Sequence, residues 1–339
     1  MLGFYKMSLI GSAHKTIGGG VCQDASDCRL LENGILIAAV ADGLGSSKHS
    51  DVASKLAVGT VLSYLSENLP AAWYEATIIS VMRDAYQKAL DEIKTVARES
   101  SHDESDYDTT LTTAVYNSRN IIYGHVGDGG IITLSSSGDY SILTTAQKGE
   151  EFNVTTPLRA GSEKWVFGRS EEDVCAFAMM TDGLFDVACP WILSSTDCPV
   201  YVNFVRSFID NNLLKAGTPD DFDTLQKEIE EYLTGEDLKN VTDDITVVGV
   251  INTDLQPSVK PDDYYIEPDF EKLLSENRAK LYSGTKTENG EIGDADADTS
   301  EDAIPVAGPV VESEGESETQ QHKNGFWDAF TKLMGFTGK

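Results

Sequence analysis

The sequence predicts an α+β domain in which antiparallel sheets are covered by helices. Eight short segments, many of them rich in Ile, Val, Thr and Tyr, have the composition of β-strands. Two long helical patterns are inserted into this run of strands, and a third precedes its last member. Consecutive short strands with long helices between them indicate stacked antiparallel sheets with helices on their outer faces.

The elements follow from local composition, taken in chain order. We predict helices over 51–67, with Ser50 as the N-cap, over 71–98 and over 199–215. A helix over 267–282 has an apolar side and is expected to pack on the domain as a C-terminal addition. The predicted strands are 4–10, 34–41, 111–117, 120–126, 130–134, 139–144, 174–180 and 245–251.

Five aspartates lie where apolar runs give way to turns, and they indicate a metal site. They are Asp24, Asp42, Asp128, Asp182 and Asp243, and three of them precede a glycine. A single Asp-Gly pair is more often a hairpin turn. The apolar runs before Asp42 and Asp182, however, are typical of strands buried on both faces. Clustered buried carboxylates need a compensating cation, and oxygen ligands favour Mg²⁺ or Mn²⁺ over zinc.

Six short motifs occur around these aspartates in a fixed order. They are Cys22-Gln23-Asp24, Ala41-Asp42-Gly43, Asp108-Thr109-Thr110, Gly127-Asp128-Gly129, Thr181-Asp182-Gly183 and Asp243-Asp244-Ile245. Over residues 5–252 the chain therefore resembles the metal-dependent PPM protein phosphatases, the type 2C serine/threonine class, and in particular their bacterial branch. The resemblance implies a four-layer α/β/β/α sandwich of two antiparallel sheets flanked by helices, with metal ions in a cleft at one edge.

The resemblance also implies a site with two or three Mn²⁺ or Mg²⁺ ions. Asp42 would bridge two ions, the Gly43 carbonyl would add a ligand to one of them, and Asp182 and Asp243 would hold the other. Asp128 with Asp182 would hold a third, looser ion. Such ions activate a water molecule that attacks the phosphoryl group in line, without a phosphoenzyme intermediate.

Supporting roles are implied for residues next to these ligands. Asp24 would lie in the outer shell, where it hydrogen-bonds metal-bound water. Thr109 and Thr110 would form a buried hydroxyl pair that supports the site. Asp186 would contact the ligand residues without binding an ion itself.

The chain departs from the family pattern at three places. Many relatives have Glu immediately before the first motif aspartate, whereas this chain has Gln23, whose amide oxygen coordinates more weakly. An upstream Arg that binds the substrate phosphate is absent from residues 14–21, so Lys15 is either its substitute or a solvated lysine. No His follows Asp42-Gly43, which leaves His14 and His49 as candidates for the leaving-group acid, with His14 beside Lys15 as a candidate phosphate contact.

Two functions remain open from the sequence. The first is a protein-serine/threonine phosphatase that acts on a phosphorylated protein, the product of a bacterial serine/threonine kinase. The second is a catalytically weak relative that serves as a phosphoprotein-binding or scaffold module, consistent with Gln23 and the missing Arg. The retained carboxylates Asp42, Asp182 and Asp243 favour the enzyme, because a binding module has no use for a costly carboxylate cluster.

The amino-acid composition indicates which classes of partner and which cellular compartment to expect. The formal charge of −30 argues against nucleic acid as a partner, because phosphate backbones bind basic surfaces. Five cysteines without a CxxC pair or zinc spacing favour reduced thiols and a cytoplasmic location. We expect no signal peptide and no membrane span, since no apolar stretch is long enough.

The predicted organisation is a phosphatase domain over 1–255, a helical extension over 256–287, an acidic disordered linker over 288–323 and a short amphipathic helix over 324–339. Residues 288–318 contain eleven acids and no Lys, Arg or aromatic residue. In the last segment the apolar residues recur at helical spacing, namely Phe326, Phe330, Leu333 and Met334. This helix is expected to dock on its own domain or on a partner, and a membrane is the weakest alternative.

One segment beside the expected cleft is basic in an otherwise acidic chain. Residues 146–170 contain Lys148, Arg159, Lys164 and Arg169 together with Trp165. The cluster could recruit a phosphorylated substrate, although ordinary solvated loop charges are the more frequent explanation.

Overall fold

A computed structural model describes residues 1–16, 20–148, 155–235, 238 and 241–284. Met1–Glu267 form one compact unit, and a second unit begins at Pro268. The linker predicted over 288–323 and the helix predicted over 324–339 lie outside the described residues, so both stay predictions. All five motif aspartates belong to the first unit.

Ten strands are present in the described part of the chain, and every pairing between them is antiparallel. Their bounds are β1 Leu2–Leu9, β2 Ala25–Leu30, β3 Leu36–Ala41, β4 Leu111–Tyr116, β5 Ile121–Val126, β6 Gly130–Ser135, β7 Tyr140–Ile142, β8 Val166–Arg169, β9 Val174–Met180 and β10 Ile245–Asn252. The first sheet has the order β1-β10-β9-β6-β7, and the second has the order β2-β3-β4-β5-β8.

Helices connect and cover these sheets in the first unit, and one further described helix belongs to the second unit. Their bounds are α1 Ser12–Thr16, α2 Ser50–Asn68, α3 Glu75–Glu99, α4 Asp182–Ala188, α5 Val202–Ile209, α6 Asn211–Leu214 and α7 Pro219–Leu233 in the first unit, and α8 Phe270–Gly284 in the second. The helix predicted over 267–282 is thereby confirmed as α8.

The alternation along β3 shows how the layers are built. Ile37, Ala39 and Ala41 point to one side, where they pack in a core with α2 and α3. Leu36, Ala38 and Val40 point to the other side and pack between the two sheets, in a core that also contains residues of β9 and β10. Both faces of β3 are therefore buried, which explains why its sequence is apolar without alternation.

The first sheet is covered on its outer face by α5 and α7. The hydroxyl of Tyr5 in β1 donates a hydrogen bond of 2.9 Å to the carbonyl of Phe208 in α5. The ring of Phe222 in α7 lies so close to Gly3 that a Cβ at that position would be 2.1 Å from it. The predicted four-layer arrangement of helices, two antiparallel sheets and helices is confirmed.

Several local predictions need correction. The N-cap of α2 is His49, and Ser50 is the first residue of the helix. The helix predicted over 199–215 is two helices, because Asp210 ends α5 and its carboxylate accepts the Asn212 amide at the start of α6. Strand β2 was not predicted, since Ser26 and Arg29 break the apolar pattern at the edge of the sheet.

Two findings bear on the surroundings of the protein. Within the described ranges, no helix combines the length and apolar character needed to cross a membrane. All five cysteines are free thiols in the structure.

Candidate metal centre

The antiparallel pairing brings the motif aspartates to one end of the sandwich. In such a pairing the start of one strand lies beside the end of its neighbour. Ala25 pairs with Ala41, which places Asp24 beside Asp42 in the second sheet. The apolar composition of these strands indicates only that they are buried. The register between paired strands determines which turns lie next to each other.

The first sheet contributes its aspartates in the same way. Met180 at the end of β9 pairs with Gly130 at the start of β6 and with Val247 near the start of β10. Asp182, which follows β9, is therefore flanked by the turns that hold Asp128 and Asp243. Asp128 lies where the chain passes from β5 in one sheet to β6 in the other.

The backbone of Asp42 is fixed by the two predicted hydroxyls. The Asp42 amide donates to Thr110 Oγ1 at 2.9 Å, and the Asp42 carbonyl accepts from Thr109 Oγ1 at 2.9 Å and from the Thr110 amide at 2.8 Å. Gly43 is required next to it, because a Cβ there would lie 2.6 Å from the Ser50 carbonyl oxygen. The supporting role predicted for the threonine pair is confirmed.

Three carboxylates form the centre of the cluster. One carboxylate oxygen from each of Asp42, Asp128 and Asp182 lies within 4.8 Å of the other two. Burial and the mutual repulsion of these groups hold the pKa values of Asp42 and Asp182 well above their usual range. Burial also raises the pKa of Asp128, which is 5% exposed and whose Oδ1 has no hydrogen-bond partner.

Asp24 and Asp243 flank this centre. Asp24 is buried, accepts a hydrogen bond of 2.7 Å from Thr181 Oγ1, and has its pKa raised to about 7, mainly by burial. The Asp243 side chain is half-exposed; its partial burial raises its pKa, and the hydrogen bond from the Asp244 amide and the nearby His14 oppose this shift. Neither belongs to the group of three, but both contribute charge repulsion that raises the pKa of Asp42.

Gln23 presents an unsatisfied oxygen near the cluster. Its backbone carbonyl accepts from the Gly43 amide at 3.2 Å and from Ser54 Oγ at 2.5 Å. Its side-chain Oε1 is buried and has no hydrogen-bond partner. A buried amide oxygen without a partner is costly, and a bound cation would satisfy it.

Helix α1 places His14 and Lys15 beside the Asp243 turn. His14 Nδ1 lies 2.9 Å from Asp244 Oδ1, and His14 Nε2 lies 3.9 Å from Asp243 Oδ1. Lys15 is exposed in the last turn of α1. Asp244 was not predicted as a site residue, although it is only 2% exposed.

Three of the four basic residues of 146–170, namely Lys148, Arg159 and Arg169, are engaged by carboxylates. Arg159 makes a two-pronged ion pair with Asp108, with both N–O distances 2.7 Å. Lys148 pairs with Asp186 at 3.1 Å, and Arg169 pairs with Glu75 at 3.1 Å. Trp165 is buried, and its Nε1 donates to the Leu158 carbonyl at 3.0 Å. These pairings favour a structural role over a free phosphate-recruiting cluster.

Asp186 and Thr155 connect this segment to the carboxylates. Asp186 lies one helical turn after Asp182 in α4 and holds Lys148. Thr155 Oγ1 donates a hydrogen bond of 2.5 Å to Asp128 Oδ2. Residues 148 and 155 also pair with each other as an isolated antiparallel bridge.

A groove of about 460 Å³ lies apart from the cluster, between β2, α2 and α3. Its three cations already have carboxylate neighbours. Arg29 lies 3.4 Å from Asp27, Lys55 lies 3.2 Å from Asp51, and Lys88 lies 2.6 Å from Glu92. The groove therefore gives no argument for a second phosphate site.

Comparisons with known proteins give one family match. The family profile described as Protein phosphatase 2C matches residues 10–233, which is more than half of the chain. No curated protein sequence matches the chain significantly.

Solved structures share the fold at low sequence identity. The serine/threonine phosphatase Stp1 from Staphylococcus aureus matches with a TM-score of 0.52 and 16% identity, covering 74% of this chain and 95% of that one. A bacterial serine phosphatase matches with a TM-score of 0.51 and 14% identity, covering 76% and 99%. The S. agalactiae serine/threonine phosphatase matches with a TM-score of 0.50 and 17% identity, covering 74% and 99%.

Proposed function

Because the chain belongs to the protein phosphatase 2C family and is thus a protein-serine/threonine phosphatase, we propose that it hydrolyses phosphoserine or phosphothreonine through a water molecule activated by two divalent cations. The observation that carries the proposal is the cluster of Asp42, Asp128 and Asp182, whose oxygens lie within 4.8 Å of one another. An uncompensated cluster of this kind opposes folding, whereas a bound cation turns it into a binding site.

The donor set fits Mn²⁺ or Mg²⁺. Asp42, Asp128 and Asp182 supply carboxylate oxygens, and the orphaned Oε1 of Gln23 supplies a neutral oxygen. We assign Asp243 and the Gly43 carbonyl to the same ion set and Asp24 to its outer shell, supported by their places at the same end of the sheets. A bound divalent cation lowers the pKa of water and neutralises charge on the attacked phosphoryl group.

The protein's own residues position the reactants. Thr109 and Thr110 hold the Asp42 backbone, and Asp24 is held by Thr181, so the carboxylates stay in place when a substrate enters. We assign Lys15 and His14 to capture of the substrate phosphate, because α1 holds both beside the Asp243 turn. The positive charge of Lys15 opposes the negative field of the cluster, which would otherwise repel a phosphate.

The proposed substrate is a phosphorylated protein, and the opposing enzyme is a bacterial serine/threonine kinase. A cytoplasmic location is part of the proposal and is supported by the five free thiols. The acidic composition supports a protein partner over nucleic acid.

The direct test is hydrolysis of p-nitrophenyl phosphate with and without Mn²⁺, followed by phosphoserine and phosphothreonine peptides. We expect turnover that depends on the metal and is lost with EDTA. Metal-independent turnover would contradict the proposed chemistry. Binding of phosphopeptides without turnover would instead support the binding-module alternative.

Lys15→Ala is expected to raise KM for a phosphopeptide by about 10-fold and to leave the half-saturating Mn²⁺ concentration unchanged, because it removes a charged contact to phosphate without touching the ion ligands. Lys15→Arg should lower KM below that of the parent, since guanidinium binds phosphate through two donors. Steady-state kinetics with a single phosphoserine peptide measures both effects.

The matched control is Lys55→Ala, which removes an exposed lysine of the same charge from α2. We expect no change in KM for this variant. Equal KM values for Lys15→Ala and the parent would return Lys15 to the role of a solvated surface lysine.

A further inference from the structure

The carboxylate of Asp244 binds three separate parts of the site, although its neighbour Asp243 faces solvent. Asp244 is 2% exposed, whereas the Asp243 side chain is 51% exposed. The Gly11 amide donates to Asp244 Oδ1 at 2.7 Å, and the Gln23 amide donates to Asp244 Oδ2 at 2.6 Å. One buried side chain thus connects the chain before α1, the first motif and the start of β10.

The third contact is with the imidazole of His14. Its Nδ1 lies 2.9 Å from Asp244 Oδ1, and its Nε2 lies 3.9 Å from Asp243 Oδ1 on the open side of the site. The imidazole therefore lies between a buried carboxylate and a half-exposed one.

Helix α1 depends on these contacts for its position. It contains five residues, and a helix of that length is not stable in isolation. Apart from Asp244, the segment is tied to this turn by the Ala13 amide, which donates to the Thr242 carbonyl at 2.9 Å. The position of α1, which carries Lys15, is thus set by residues 242–244.

An aspartate is required here by the count of donors. A carboxylate only accepts hydrogen bonds, and each of its two oxygens accepts one backbone amide, from Gly11 and from Gln23. An asparagine of the same shape would turn an NH₂ group towards one of these donors. The amide left without an acceptor would then be buried and unpaired, which is costly.

We propose that Asp244 is a positioning residue, whose buried carboxylate holds Gln23 in reach of the metal ions and holds His14 and Lys15 in reach of the substrate phosphate. The inference rests on the proposed function for its catalytic meaning. It adds that metal binding and phosphate capture share one support, since Gln23 and α1 are attached to the same carboxylate.

The test is Asp244→Asn in the full-length chain. We expect faster hydrogen exchange at the Gly11 and Gln23 amides by nuclear magnetic resonance. Calorimetric Mn²⁺ affinity should fall by about 10-fold and KM for a phosphoserine peptide should rise by about 10-fold, as for loss of a hydrogen bond to a charged group. The kcat at saturating Mn²⁺ and substrate should change less than KM, because Asp244 does not touch the reacting atoms.

Asp210→Asn is the matched control. Asp210 is also 2% exposed and accepts a backbone amide, from Asn212 at 3.0 Å, but it lies between α5 and α6. We expect this variant to lose stability with unchanged Mn²⁺ affinity and KM. If Asp244→Asn gives the same result as Asp210→Asn, Asp244 is a structural residue only and the inference is wrong.

His14→Gln provides a second variant that keeps both backbone hydrogen bonds to Asp244. It should raise KM and leave Mn²⁺ affinity and the Gln23 amide unchanged. If Asp244→Asn fails to fold, an unchanged KM in His14→Gln overturns the inference. If the parent itself hydrolyses no phosphopeptide, the proposed function fails, and amide exchange with Mn²⁺ affinity still decides whether Asp244 positions Gln23.

Discussion

Replacing Asp42 with Asn is expected to lower metal-dependent turnover by at least about 100-fold and, at the same time, to stabilise the metal-free protein. Turnover falls because Asp42 is the ligand assigned to both ions. Stability rises because burial and the charges of Asp182 and Asp24 oppose ionisation of Asp42, and a neutral amide removes that repulsion. Peptide hydrolysis and thermal unfolding in EDTA measure the two effects on one preparation.

A loss of turnover together with a gain in thermal stability would exclude misfolding as the cause of the lost activity. Asp182→Asn should behave in the same way, because its carboxylate is equally buried among acids. Asp139→Asn is the control: Asp139 lies at the other end of β6 and pairs with Lys260 at 2.7 Å, so its loss should leave turnover unchanged. Turnover retained by Asp42→Asn or Asp182→Asn would refute the metal assignment.

The central strands could be predicted from the sequence because a strand that is buried on both faces consists almost entirely of apolar residues. β3 and β9 lie inside the two sheets and read as apolar runs. β2 and β8 lie at the edge of the second sheet, where Ser26, Asp27 and Arg169 are compatible with a strand but do not signal one. An edge strand that lacks an apolar pattern, such as β2 or β8, depends on its single neighbour, which local composition does not reveal.

The carboxylates of the candidate metal centre were predictable for a related reason. Asp42 and Asp182 end strands whose composition already marks them as buried, so a charge there is anomalous. The proximity of Asp42, Asp128 and Asp182 could not be derived from spacing, because it depends on the register between strands far apart in sequence. The family resemblance supplied that information.

Asp244 shows the limit of reading residues by type. Asp243 and Asp244 are chemically identical neighbours, yet one is half-exposed and the other is buried under Gly11 and Gln23. Which of two adjacent acids faces the core depends on the strand that follows and on a loop more than 200 residues earlier. A buried acid with several backbone donors is recognisable only once those donors are placed.

In the basic segment 146–170, too, residue type alone does not reveal which groups a side chain contacts. Arg159 and Arg169 are candidates for phosphate contacts by residue type alone. The structure pairs Arg159 with Asp108, directly beside the threonines that hold Asp42. A two-pronged ion pair of this kind fixes the segment beside the site. The Arg159 guanidinium therefore has a structural role there.

The metal-free protein is expected to be more stable near pH 5.5 than near pH 8, and Mn²⁺ or Mg²⁺ should abolish this difference. Asp24 has its pKa raised to about 7, and Asp42, Asp128 and Asp182 are shifted in the same direction. A carboxyl group with a raised pKa in the folded state binds more protons folded than unfolded. The free energy of unfolding therefore falls as pH rises from the unfolded-state pKa of these carboxyl groups to their raised folded-state pKa.

Metal binding removes this difference in stability because cations bind the ionised carboxylates of the folded state. A ligand at 100 times its Kd stabilises by about 2.7 kcal/mol, which corresponds to roughly 5–10 °C for a unit of this size. The shift should be large at pH 8 and small at pH 5.5, where protons compete for the same oxygens. Thermal unfolding in EDTA and in Mn²⁺ across this range measures it, with Asp42→Asn expected to lose most of the shift. A metal-free protein whose Tm rises steadily from pH 5.5 to 8 would contradict the buried, uncompensated state of these four acids.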